Sequence, residues 1–162
     1  MASLKYRCLT PNPITTEYPV AASQCFYHEG AQFCYLDGSG NVTAGVTATT
    51  TVIGWALVPK GRGEAANDLY WKSSATAAAD RIAVITDPNA EFLVPADDTV
   101  TAAYKGNAAD LVLTTADGSA PLLIDIGTTS NDVVRITKIG TEVQGGSTTD
   151  AVVRINAFQA DT

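Results

Sequence analysis

The chain has 162 residues, of which 46% are apolar and only 17% charged, with a formal net charge of −7 and a pI near 4.4. That length suits one domain with a real core, and the acidity excludes free duplex nucleic acid, whose binding needs a basic face that releases counterions. No apolar run approaches the roughly 20 residues of a membrane-spanning helix, and the longest, VIGWALV at 52–58, has the length of a buried strand.

The first sixteen residues contain Lys5 and Arg7 but no acid, and Pro11 and Pro13 bias their neighbours toward extended geometry. This segment reads as an extended N-terminal arm, 1–16, that lies against something, attached to a body spanning 17–162. MASLKYRCLTPNP lacks the apolar centre of a signal peptide. With three cysteines, an odd number, free thiols in a reducing cytosol are the expectation.

From residue 18 onward the punctuation is that of a β protein. Strands are predicted at 32–36, 42–44, 51–58, 69–72, 81–86, 91–94, 110–115, 122–126, 133–139 and 152–158. Turn signals such as DGSGN, PKGRG, DPN, KGN and QGGSTTD stand between them. Val153, Ile155 and Ala157 alternate with Arg154 and Asn156, so the last strand shows one apolar face. Short Ala-rich stretches at 63–68 and 75–80 are the only helical candidates. The fold class is therefore all-β, a single-domain β-sandwich or jelly-roll-like barrel.

Charge is uneven along the chain. Residues 1–79 hold five acids and five bases, whereas 80–162 hold twelve acids and five bases. Ala, Thr and Gly replace the Lys and Glu of an ordinary surface, which points to extensive contact with other protein.

The motifs that could carry chemistry mostly dissolve on inspection. Asp37-Gly38-Ser39-Gly40-Asn41 is followed by Thr43, Gly45 and Thr47, so no closing acid completes a calcium loop. No lysine follows until Lys60, so a P-loop is absent too; an Asp-Gly between Leu36 and Val42 is a hairpin turn. Cys25 and Cys34, nine apart, with Cys8 and His28, lack the close pairs of a structural zinc site. Asp125, in LLIDIGTT, resembles the hydrophobic–Asp–Thr/Ser–Gly loop of a homodimeric aspartic protease, but Ile126 stands where the hydroxyl residue belongs. Adjacent Asp97 and Asp98 point to opposite faces of any strand and suit a solvated tip. Asn41-Val42-Thr43 matches a glycosylation sequon only formally. No catalytic, cofactor-binding or metal-binding set is expected. Among aromatics, Trp55 belongs in the core of VIGWALV, while Trp71, with Tyr70, is the candidate for an exposed sugar-stacking platform.

Taken in order, an extended leader into EYPVAASQ, the hairpin YLDGSGNVT, the apolar strand TVIGWALVPKG, then RIAVITDPNAEFLVPAD and the closing strands DVVRITKIG and AVVRINAFQ resemble the capsid cement, or decoration, proteins of tailed bacteriophages. The resemblance implies a non-enzymatic β-body on the exterior of an icosahedral virion, assembled in the host cytoplasm. Its partner would be the major capsid protein, bridged by homo-trimers or homo-dimers, with no cofactor, nucleic acid or membrane involved. The leader would then supply the contact, with Lys5 and Arg7 meeting acidic capsid residues. Tyr6, Leu9, Pro11 and Pro13 would lie along the same stretch, Tyr6, Leu9 and Pro11 as apolar anchors. The rivals are a carbohydrate-binding or host-adhesion module using Tyr70 and Trp71, and a tail- or fibre-associated structural subunit.

Overall fold

The computed structural model describes residues 6–27, 32–47, 49–59, 70–113 and 122–159. Among them the chain forms β1 (Arg7–Cys8), β2 (Thr15–Pro19), β3 (Cys25–Tyr27), β4 (Phe33–Leu36), β5 (Val42–Ala44), β6 (Gly54–Leu57) and β7 (Tyr70–Lys72). There follow β8 (Arg81–Ile85), β9 (Phe92–Pro95), β10 (Ala108–Leu113), β11 (Leu122–Asp125), β12 (Val134–Ile139) and β13 (Asp150–Ile155). Among the described residues the only helical pieces are single 3-10 turns at Ala102–Tyr104 and Gly140–Glu142. The architecture is all-β and sandwich-like, built from antiparallel sheets in one domain.

One sheet runs β1-β9-β13-β12-β10-β11 and the other β2-β8-β6-β4-β5, while β3 and β7 form a separate ribbon. Both large sheets curl until their ends meet. Ala96, just past β9, bridges Ile124 of β11, and Asp97 donates its N–H to the Ile124 carbonyl at 2.9 Å. Likewise Val20, just past β2, bridges Val42 of β5, with Ala21 N–H donating to the Val42 carbonyl at 2.9 Å. Contact at these single bridges covers only part of each strand edge, and the Thr15–Glu17 stretch of β2 lies outside it.

Period-two alternation assigns the faces. Phe92 and Val94, Ala151 and Val153, Val134 and Ile136, Ala109 and Leu111, and Leu122 and Ile124 all point inward from the first sheet. Phe33, Trp55 and Ile85 of the second sheet meet them in one buried cluster. The aromatic centre of that cluster joins the sheets: Trp55 stacks on Phe92 at 4.7 Å and 8°, and Phe33 meets both rings edge-on at 5.0 and 5.6 Å. The opposite face of the second sheet carries Cys34, Ala56, Ile82 and Val84 into a smaller cluster, which Phe26 and Trp71 of the β3–β7 ribbon cover.

Gly54 explains the glycine inside VIGWALV. A Cβ there would lie 2.1 Å from the Ile85 carbonyl oxygen and 2.7 Å from Val84 Cγ1, so β6 could not approach β8 with any larger residue. The DGSGN segment is the turn its sequence predicts: Asp37 accepts N–H bonds from Ser39 and Asn41 at 2.9 Å, and Gly40 adopts φ +79°. Asn41 is buried, which removes the sequon side chain from solvent.

One helical expectation is overturned. Residues 75–80 are turns and not a helix, because Ala78 takes φ +64° to donate to the Val20 carbonyl while Asp80 accepts the Ser74 N–H. The second helical candidate, 63–68, lies outside the described residues.

The C-terminal segment ties the sheets together. Beyond β13, Val52 N–H donates to the Ala157 carbonyl, and Gln159 N–H returns to the Val52 carbonyl. The Gln159 side chain then imitates a strand residue: its Oε1 accepts from Leu36 N–H at 2.7 Å and its Nε2 donates to the Leu36 carbonyl at 2.8 Å. Replacing Gln159 by Ala leaves both Leu36 groups without these partners, and we expect a loss of about 1–3 kcal/mol in urea unfolding. An unchanged midpoint would show that water replaces the amide without penalty.

Candidate functional site

The leader residues singled out in the sequence are not held as a free arm. Arg7 and Cys8 pair with Leu93 and Phe92 of β9, Leu9 N–H donates to the Glu91 carbonyl, and Thr10 Oγ1 accepts the Glu91 N–H. The chain then crosses to the second sheet, where Thr15–Pro19 pairs with β8 along its whole length. The expected boundary at 16/17 therefore falls inside a strand. Tyr6 and Cys8 turn inward against the larger core cluster, so Tyr6 serves this protein's own core rather than a partner's groove. Arg7 and Leu9 are half-buried, Pro11 is exposed and Pro13 is half-buried; Lys5 lies outside the described residues.

What the leader leaves open is sharper than the sequence suggested. Ile14 is 61% exposed, the most exposed large hydrophobic among the described residues. Its carbonyl accepts from Thr86 N–H and its own N–H donates to the Asp87 carboxylate at 3.3 Å. Val20 N–H donates to the Asp80 carbonyl, so even-numbered residues of this strand face β8 and the odd-numbered ones face outward. Pro19 occupies one outward position, where its missing N–H costs no ladder bond. The amides of Thr15 and Glu17 point to the free edge. Glu17 is held by Arg81 at 2.6 Å. Nothing in the local pattern flagged Ile14; its exposure follows from the crossing between sheets.

The sugar-platform candidate is corrected. Trp71 is only 2% exposed, stacked on Phe26 with centroids 6.0 Å apart, because the β3–β7 register places both rings over the smaller core cluster. Tyr70 is half-buried and opposes Tyr27 at 5.4 Å. Trp55 is buried, as its setting in VIGWALV implied.

Asp125 lies on β11 directly opposite Asp110 of β10. Asp110 is buried, and its carboxylate accepts N–H bonds from Asn131 and Asp132 at 2.9 Å, so it braces the loop that follows β11. The same work recurs across the acidic half. Asp87 accepts from Asn89, Asp97 from Ile126, and buried Asp150 from Ser147 N–H and Oγ. Much of the acid excess is thus spent on loop amides, which lack strand partners and need acceptors.

The cysteines occupy different places. Cys8 faces the larger cluster and Cys34 lies wholly buried in the smaller one, while Cys25 is half-buried on the ribbon. Burial pushes the Cys34 thiol strongly up and the Cys8 thiol up, so neither is an activated nucleophile. His28 lies outside the described residues. A shallow depression of about 250 Å³ between Tyr35, Val46, Thr49, Thr50 and Thr51 carries no ionisable acid or base other than the tyrosine phenol. No helix among the described residues is long and apolar enough to cross a membrane.

No family model, curated protein or solved structure matches this chain significantly.

Proposed function

We propose that this protein is a non-enzymatic structural component of a bacteriophage virion that binds the outside of an icosahedral shell and cements neighbouring major capsid subunits. The observation that supports it most is the leader crossing. It leaves Ile14 61% exposed beside a strand edge whose Thr15 and Glu17 N–H groups point outward, with the Glu17 carbonyl shared with Arg81. Edge addition supplies main-chain hydrogen bonds, and a neighbouring apolar side chain supplies the anchor. The sequence resemblance and the sparse charge, 17% of residues, agree with a surface whose work is burial. Each bound copy then stabilises the assembled shell by mass action, because it binds only where neighbouring subunits are in place. The proposed copies per site are three or two.

The test uses capsids of the same phage lacking this protein. Wild-type protein should co-sediment with them and raise the shell's melting temperature. Ile14→Asp should keep its own fold while occupancy at fixed concentration falls about tenfold, the loss of one good apolar anchor. Deleting 1–16 is a poor probe, since it strips β1 from one sheet and the first two residues of β2 from the other. Wild-type protein that ignores its capsids would end the cement reading.

A further inference from the structure

The register of the six-stranded sheet gathers cations that are distant in sequence. Arg7 opposes Leu93, Leu93 opposes Val152, and Val152 opposes Lys138, which makes one outward row across β1, β9, β13 and β12. In the neighbouring outward row, Arg154 of β13 opposes Arg135 of β12 directly. Both rows lie on the side away from the larger core cluster, because Val153, Ile155, Val134 and Ile136 point the other way; Leu93 and Val152 are themselves 0% exposed, so the first row meets solvent only through half-buried Arg7 and exposed Lys138. Seven cationic side chains are among the described residues: Arg7, Lys72, Arg81, Lys105, Arg135, Lys138 and Arg154. Four of the seven share this one face, on a chain whose net charge is −7.

Acids offset only part of it. Glu91 has its carboxylate 3.6 Å from Lys138 and accepts from Thr137 Oγ1 at 2.6 Å, and Glu142, paired with Lys105, also attracts Lys138. Asp110 and Asp125 lie on the β10–β11 flank, and Asp110 is committed to the Asn131 and Asp132 amides. Arg135 is fixed by the Gly106 carbonyl and Asn156 Oδ1, and Arg7 by the Gln144 carbonyl. Arg154 is exposed and has no hydrogen-bond or ion-pair partner among the described residues.

Like charges directly opposite on neighbouring strands destabilise a sheet. A face that keeps Arg135 against Arg154, and leaves Arg154 without an acid, gives up some stability of the free protein. An acidic surface laid on it would supply the missing counter-charges. We propose that this outer face of β1, β9, β13 and β12, with Arg154 at its centre, is the docking surface for an acidic patch on a partner protein. The inference rests on the capsid reading above, and it names the face and the charge of the capsid surface that meets it. It also gives Arg7 of the leader a role shared with three residues of the body. A pleated face suits a folded protein surface, and four cations amid a net charge of −7 are fewer than a duplex-binding face needs.

Capsid binding should therefore weaken about tenfold when salt rises from about 50 to about 300 mM, as expected for exposed charge pairs. Arg154→Glu should weaken it at least about tenfold at the lower salt. Arg154→Gln should weaken binding without lowering the melting temperature of the free protein, because it relieves the Arg135 contact. Lys72→Glu, on the separate β3–β7 ribbon, serves as the control for net charge and should change binding little. Wild-type binding that Arg154→Glu leaves intact would overturn this face while leaving the cement reading standing. A capsid-independent readout is retention on immobilised poly-glutamate. The wild-type protein should be retained despite its acidity and Arg154→Glu should not. If the protein ignores capsids but shows this retention, the cement reading fails and the acidic-partner face survives. No retention of the wild-type protein, or Arg154-dependent binding of duplex DNA in its place, would overturn the proposal.

Discussion

Phe92→Ala should destabilise the protein by about 3–5 kcal/mol, the range for deleting a fully buried aromatic ring. Phe92 is 0% exposed and is the only residue of the first sheet in the aromatic triad, stacked on Trp55 and edge-on to Phe33, which both come from the second. Its removal empties the point where the sheets touch, and neither neighbour can follow the void, since Phe33 and Trp55 are fixed to each other across β4 and β6. The melting temperature should fall by about 10 °C or more for a domain of this size. Phe92→Leu, which keeps much of the volume, should lose less than half as much. A small loss for the alanine variant would mean that the sheets are held mainly elsewhere, through the β1–β2 leader and the Gln159 clasp.

Trp71→Ala should also cost about 3–5 kcal/mol, and this number separates two ideas about the residue. An exposed stacking platform would lose ligand binding on truncation and keep its stability. Trp71 instead covers the smaller cluster with Phe26, over Cys34, Ala56, Ile82 and Val84. Its loss should loosen the β3–β7 ribbon, and the Cys34 thiol should become reactive toward alkylating reagents at neutral pH. Stability within about 0.5 kcal/mol of wild type would return Trp71 to the surface.

The resemblance to capsid cement proteins and the physical reading meet at the leader, but they use it differently. The expectation was an arm that orders on its target. In the structure, β1 and β2 already occupy edges of the protein's own sheets, and the part still exposed is the short crossing around Ile14 with the outer edge of Thr15 and Glu17. Arg7, held on β9, adds its charge to a face built by β12 and β13.

Strands from residue 32 onward were legible because each shows its own evidence: an apolar run or alternation, closed by Gly, Asp, Asn or Pro. The hairpin at Asp37 needed no tertiary information, since Asx bonds to Ser39 and Asn41 are local. β1, β2 and β3 were missed for one common reason. They are two, five and three residues long, and they exist because β9, β8 and β7 accept them as neighbours. Trp71 was placed outside because its local neighbours are polar, yet Tyr70 and Lys72 flank it as alternation requires for one buried side chain.

By itself, then, the amino-acid order determined the all-β class, the turns and the alternating faces, because these depend on backbone preferences and on spacing within a few residues. Only the tertiary structure decided that the sheet ends close at Val20–Val42 and Ala96–Ile124, that Trp71 is core, and that Arg135 meets Arg154. Each of those outcomes depends on which strand pairs with which and in what register. Register is set by the whole set of inward side chains packing at once, and a local stretch carries no record of it.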